Sequence, residues 1–198
     1  MEYAPGGDLG WVACRSDNQR IPEDDARFYA AELLLALKHL HSVGYMHRDI
    51  KPDNVLIDAK GHCKLGDFGF ARKVDSNGRC HSHLGTPHYL APEQLDIHNK
   101  GGYSTCVDWW SFAVTLYVLV AGNGPFGKNS DTRYEVYLKV MKVRKSSEGA
   151  AREWSTIVIV TVIFYSLIPS FNCNTVYGVV AFKQAHTVYT KIILKFEI

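Results

Sequence analysis

"YMHRDIKPDNVLID", Tyr45 to Asp58, decides how the rest of the chain is read. It crowds His47, Arg48, Asp49, Lys51, Asp53 and Asn54 together and then turns apolar. Acids, bases and an amide this close, with Pro52 stiffening the loop between them, point to a chemical site. An arbitrary surface hairpin would not explain the polar cluster. The short apolar stretches "VLID" and "CKL", separated by "AKGH", predict a small β-hairpin. That hairpin would carry Asp49 to Asn54 before it and Asp67 after it.

Upstream, "IPEDDARFYAAELLLALKHLHSVG" predicts a long helix. Pro22 suits a first turn, and Glu23, Asp24 and Asp25 favour the positive end of the helix dipole. Ala26, Ala30, Leu33, Leu37 and Leu40 follow the helical period, and Gly44 can stop it. Downstream, "CVDWWSFAVTLYVLVAG" is apolar on nearly every side, as a buried central helix is. Asp108 lies inside it. A buried carboxylate needs partners, so Asp108 is expected to brace backbone N–H groups of a neighbouring loop. "DTRYEVYLKVMK" reads as an amphipathic helix with Tyr134, Tyr137, Leu138 and Met141 on one side.

The chain has 198 residues, 46% hydrophobic and 21% charged, which suits a globular domain with a core. A net charge of +2, with scattered basic residues, argues against a nucleic-acid partner. Five separated cysteines, Cys14, Cys63, Cys80, Cys106 and Cys173, have no metal-ligand spacing and read as free thiols in a reducing cytosol. The expected location is cytoplasmic, with the nucleus open as a second. No signal peptide is visible, and the apolar run Ile157 to Ile168 is short for a membrane span.

"HRDIKPDN", "DFG", "GTPHYLAPE", "DWWSF" and "GNGPF" occur in the order of a eukaryotic protein kinase. "MEYAPGGDL", "RFYAAE", "DFGFARKV" and "DWWSF" resemble the AGC branch of serine/threonine kinases, whose members include cAMP-dependent-kinase-like and Rho-kinase-like enzymes. The resemblance covers about residues 1–142. It implies a mainly helical C-terminal lobe with a small β-hairpin at the active site, and ATP and Mg²⁺ as cofactors.

Roles follow from the resemblance residue by residue. Asp49 would orient the substrate hydroxyl, Lys51 would meet the migrating phosphoryl group, and Thr86 would tether both. Asn54 and Asp67 would hold Mg²⁺. The Glu2 carbonyl and the Ala4 N–H would meet adenine, Asp8 the ribose, and Leu56 would form the floor under the base. Ser82 matches the activation-loop phosphosite, with Arg48 and Arg72 gathering the phosphate and an upstream kinase as the implied activator. His47 is expected to pack beneath the loop. Asp8 and Asp53 would receive arginines upstream of the target Ser or Thr. Val118 replaces a further acid, so the requirement for one arginine is expected to be weakened. Protein substrates with basic residues near the target are the implied partners.

Two departures complete the expectation. Met1 falls at the hinge, so no glycine-rich phosphate lid and no "VAIK" lysine precede it, and the N-terminal lobe is expected to be absent. After Lys142 the family pattern stops, and residues 143–198 are expected to be a tail of non-family sequence, with a retained intron or incomplete gene model as its origin. The sequence therefore favours a serine/threonine kinase at the level of the gene. A weakly active or inactive fragment is expected at the level of this chain. The alternative is a non-catalytic isoform that binds substrates or regulators.

Overall fold

The computed structural model describes residues 3–82, 84–96, 101–127 and 131–147. Glu2 and the tail beyond Ser147 lie outside them. Among the described residues there are five α-helices: α1 (Leu9–Arg15), α2 (Glu23–Ser42), α3 (Pro92–Leu95), α4 (Cys106–Ala121) and α5 (Arg133–Ser147). Two antiparallel two-stranded sheets complete the described fold. β2 (Val55–Ile57) pairs with β3 (Cys63–Leu65), and β1 (Tyr45–Met46) pairs with β4 (Arg72–Lys73). Among the described residues no helix is long and apolar enough to cross a membrane.

The main core forms where α2 and α4 pack together under the catalytic-type loop. Ala26, Ala30, Leu33, Leu34 and Leu37 of α2 are buried with Phe112, Leu116 and Leu119 of α4 and with Ile50 and Val55. Burying a leucine or phenylalanine side chain contributes about 1.5–3 kcal/mol, so this seam holds the loop's platform in place. The helical period of α2 is thus the expected one, except that Leu34 is buried and Leu40 only half-buried.

The predicted hairpin is present as β2 and β3. Its turn is fixed by Asp58, whose Oδ1 accepts from the Lys60 and His62 N–H groups at 2.8 and 3.1 Å. Glu32 of α2 clamps the far strand, accepting from Cys63 N at 2.7 Å and pairing with His62 at 2.6 Å. On the other edge, the amino-terminal segment runs alongside β2. Gly6 N donates to Ile57 O at 3.0 Å, and Ile57 N donates to Gly7 O at 2.8 Å.

α5 corrects one expectation. Among its described side chains Val136 and Val140 are buried, packed with Val114 and Phe126, while Tyr134 and Leu138 are exposed. Both stripes have helical spacing; the neighbouring residues of α4 and the following turn select the valines.

Asp108 is completely buried. Its Oδ2 accepts from His47 N at 2.8 Å and lies 2.8 Å from His41 Nε2, and its Oδ1 accepts from Arg48 N at 2.8 Å. It braces the loop as expected. His47 is also fully buried: Nε2 lies 2.9 Å from Gly66 O, Nδ1 accepts from Asp49 N at 3.3 Å, and the ring meets Phe68 edge-on. It packs, and it also links the loop to the segment after β3.

Two outcomes follow. Asp108→Ala removes a charged acceptor from two buried N–H groups and is expected to lower unfolding free energy by about 3–5 kcal/mol in urea titrations; a loss below about 1 kcal/mol would show that the brace is dispensable. Burial holds the His47 pKa below its usual value, against the pull of Gly66 O and the carboxylates of Asp108, Asp49 and Asp67. The unfolded chain therefore binds a proton that folded His47 refuses. This contribution is present above the unfolded histidine pKa of about 6.5 and is lost as pH falls through the folded value. Unfolding titrations from pH 8 down are expected to show a steeper decline than the same series on His47→Gln; parallel curves would refute it.

Candidate active site

The loop from His47 to Asn54 leaves β1 and enters β2 through a 3-10 turn at Pro52–Asn54. Arg48 adopts a left-handed backbone, φ 70°, a conformation that a long side chain takes only when its surroundings impose it. Asp108 supplies that constraint by holding the Arg48 N–H. The next residue, Asp49, is buried and becomes the centre of the site.

Asp49 Oδ1 accepts from Thr86 Oγ1 at 2.7 Å and from Thr86 N at 3.1 Å. Its Oδ2 accepts from Asn54 Nδ2 at 3.0 Å and pairs with Lys51 Nζ at 2.8 Å. Lys51 Nζ also donates to Thr86 Oγ1 at 3.0 Å, closing a triangle of acid, cation and hydroxyl. Burial alone would push the Asp49 pKa up, but the bonds from Lys51, Thr86 and Asn54 outweigh it and hold the carboxyl below its ordinary value. Asp49 is therefore an ionised acceptor, suited to orienting a donor.

Asn54 is buried and donates Nδ2 to Asp49 O at 2.7 Å as well as to Oδ2. With the amide nitrogen committed to Asp49, Oδ1 is the oxygen that remains for another partner. Its backbone carbonyl accepts from Gly66 N at 2.8 Å, which brings Asp67 to the same end of the hairpin. Asp67 is exposed, has φ 49°, and accepts from Gly69 N at 3.2 Å. An amide oxygen and a carboxylate form the hard donor pair that Mg²⁺ prefers, and this ion normally completes its shell with water and phosphate. Among the described residues no cluster of three or more His, Cys, Asp or Glu is arranged as a metal cage.

The segment bearing Thr86 reaches Asp49 through Gly85. Its φ is 125°, and a Cβ there would stand 2.7 Å from Arg48 O and 2.6 Å from Leu90 Cδ2. Only glycine lets this backbone cross the loop so closely.

The Arg48 side chain, also buried, turns away from Asp49. Nε donates to Phe70 O at 2.7 Å, and Nη1 reaches Ser82 Oγ, Cys80 Sγ at 3.2 Å and Tyr103 Oη at 3.3 Å. Arg48 and Ser82 are therefore together. Arg72 is exposed on β4, and among the described residues Arg48 is the arginine hydrogen-bonded to Ser82 Oγ. Cys80 and Tyr103 were not anticipated. Their backbones exchange two 2.8 Å hydrogen bonds across distant parts of the chain, a contact without a sequence signal.

At the other edge, Asp8 caps α1 by accepting from Trp11 N at 2.8 Å and bridges to Leu56 on β2. Leu56 is half-buried against Gly66, and Ala4 accepts from Gly7 N at 3.3 Å. Asp53 is exposed. A Cβ on Gly10 would lie 3.1 Å from Asp8 Oδ1 and 3.5 Å from Asp53 Cγ, so both carboxylates lie close against the Gly10 backbone and near one another. Val118 is half-buried against the cluster around Val114.

The family profile described as the protein kinase domain matches residues 1–183. Human Rho-associated protein kinase 1 is 45% identical over 150 residues, covering 74% of this chain and 11% of the relative. Human Citron Rho-interacting kinase is 46% identical over 138 residues, covering 67% of this chain and 7% of the relative. The Drosophila melanogaster serine/threonine-protein kinase Genghis Khan is 42% identical over 145 residues, covering 71% and 9%. The chain thus spans about a tenth of the length of these curated relatives. With the Asp49 site in the matched segment, the chain belongs to the protein kinase family, on its Rho-kinase-like serine/threonine side.

Proposed function

We propose that this chain is the C-terminal, catalytic-loop lobe of a kinase domain that transfers the ATP γ-phosphate to serine or threonine hydroxyls of proteins. The observation that carries the reading is Asp49: an ionised, buried carboxylate tied to Lys51 and Thr86 within 3.0 Å contacts. Phosphoryl transfer needs positioning and charge neutralisation more than covalent help.

In this reading the substrate hydroxyl donates to Asp49, which points its oxygen at the phosphorus. Lys51 meets the phosphoryl oxygens, and Thr86 keeps both side chains in register with the segment that carries substrate. Asn54 Oδ1 and the Asp67 carboxylate hold Mg²⁺, which supplies neutralisation of the phosphate charge. Ala4 N–H and the Glu2 carbonyl meet adenine, Asp8 the ribose, and Leu56 underlies the base. Asp8 and Asp53, whose carboxylates both lie close to Gly10, favour substrates with upstream arginines. Val118, apolar and half-buried, weakens the demand for one of them. Phosphate on Ser82 adds nearly two negative charges beside Arg48, and an upstream kinase places it there.

Incubation of the purified chain with ATP, Mg²⁺ and an arginine-containing serine peptide is expected to give phosphopeptide at a low rate, as befits a weakly active fragment. Asp49→Ala is expected to reduce turnover by about 10²–10⁴-fold while leaving peptide affinity within a few-fold; equal turnover by the variant would refute the assignment. Ser82→Ala is expected to lower activity at least about tenfold after treatment with an activating kinase, because Arg48 then lacks its charge-assisted partner. Activity equal to that of the phosphorylated parent would remove Ser82 from the scheme.

A further inference from the structure

Arg48 carries a positive charge into the interior, where it is 4% exposed. Among the described residues no carboxylate pairs with it; its partners are the Phe70 carbonyl, two hydroxyls and a thiol. A buried guanidinium is costly without an opposite charge. The group at hand that can supply one is Cys80, a free cysteine that is itself 4% exposed. Its Sγ lies 3.2 Å from Arg48 Nη1 and 3.3 Å from Ser82 Oγ. The sulfur is held there by backbone. Cys80 and Tyr103 exchange two 2.8 Å bonds, and a Cβ on Gly102 would stand 2.6 Å from Cys80 O. Met46, Ala91 and Val107 pack around Cys80, with Val74 and Trp110 against them, and all are uncharged. The ring of His81, the next residue, lies against Gly102. Arg48 and Tyr103 are therefore the charged and titratable groups that neighbouring elements turn toward the sulfur. Burial alone would push the Cys80 pKa up, but hydrogen bonds from Ser82 and Tyr103 and the Arg48 charge outweigh it and bring the thiol down to about 7.

We propose that Cys80 is a positioning residue: as a thiolate it holds Arg48 while Ser82 is unmodified, and it yields that guanidinium to a phosphate on Ser82. The proposal rests on the reading of Ser82 as the activating phosphosite. The thiolate accepts from Arg48 Nη1 and from the Ser82 hydroxyl, so one anion ties the loop to the Ser82 segment before any phosphate arrives. It acts on Asp49 only through Arg48, the preceding residue. A phosphate on Ser82 brings nearly two negative charges into the same space. A like charge beside a thiolate disfavours it, so Cys80 takes up a proton from solvent as the phosphate takes Arg48. The buried guanidinium thus keeps a counter-ion in both states. The coupling is reciprocal: an ionised Cys80 opposes the second deprotonation of the phosphate as much as the phosphate opposes the thiolate.

The test is a pH titration of thiolate absorbance in the ultraviolet on the full chain, with Cys80→Ser as the blank that subtracts the other cysteines. The unmodified chain is expected to show a Cys80 step centred at about pH 7. The same chain made with phosphate already on Ser82 is expected to show that step about one unit higher. Comparing these two forms at neutral pH needs no variant, so it stands even where Cys80→Ser folds poorly: phosphate is expected to remove part of the thiolate signal. Phosphorus NMR reads the reverse coupling, and the phosphate of Cys80→Ser is expected to lose its second proton at lower pH than that of the parent. Absence of a Cys80 step below the ordinary cysteine range of about 8.5 overturns the thiolate. A step that phosphate leaves in place overturns the competition. Activity assays separate this idea from the reading beneath it. If the step moves as expected while phosphate on Ser82 leaves turnover unchanged, the activating role of Ser82 fails and the competition for Arg48 stands.

Discussion

The buried Asp108 carboxylate is the constraint on which the site depends. A charge removed from water is costly unless it is fully hydrogen-bonded, and Asp108 meets that condition with His47 N, Arg48 N and His41. The donors are backbone groups, so the carboxylate fixes the chain's path as well as a side chain. It holds Arg48 in a left-handed conformation, which sends the guanidinium toward Ser82 and delivers Asp49 to the opposite task. One charge on the central helix thereby sets the divergence of two neighbouring residues.

A second constraint joins the loop to the segment around Thr86. The two backbones approach so closely at Gly85 that a methyl group would collide with Arg48 O. Arg48 thus touches that region twice, through its carbonyl beside Gly85 and through its guanidinium beside Ser82. Any movement of the Ser82 segment is felt within one residue of Asp49. On the kinase reading, this proximity is how a phosphate on Ser82 would act on the catalytic carboxylate without touching it.

The site was more legible in the sequence than much of its surroundings. Asp49, Lys51, Asn54 and Asp67 lie in contiguous motifs, and the apolar runs of β2 and β3 placed them around one hairpin. Asp108 was legible for another reason: a lone acid in a helix apolar all round must find buried donors. The α2 pattern survived because its stripe meets one extensive partner, α4. The α5 face was misread because tyrosines and valines both recur at helical spacing, and only the packing against Val114 and Phe126 chooses between them. The β1–β4 ladder has two residues per strand, too few for any period to emerge. The Cys80–Tyr103 pairing joins segments with no shared pattern, so the environment of Arg48 became visible only in three dimensions.

The coordination of Asp49 has a mechanistic consequence on the kinase reading. A carboxylate offers about four acceptor positions. Here Thr86 N, Thr86 Oγ1, Asn54 Nδ2 and Lys51 Nζ engage them. A substrate hydroxyl can therefore bond Asp49 only if one donor yields. Asn54 is buried and doubly tied to Asp49, and Thr86 N belongs to a backbone fixed at Gly85, so neither moves readily. Lys51 is partly exposed on a flexible stem and is the donor with another destination, the phosphoryl oxygens. Its departure toward phosphate would open an acceptor position on Asp49 and raise the carboxylate's basicity together. Binding of the nucleotide's transferable group and readiness for the substrate hydroxyl would then be one coupled event, with Lys51 as the switch between them.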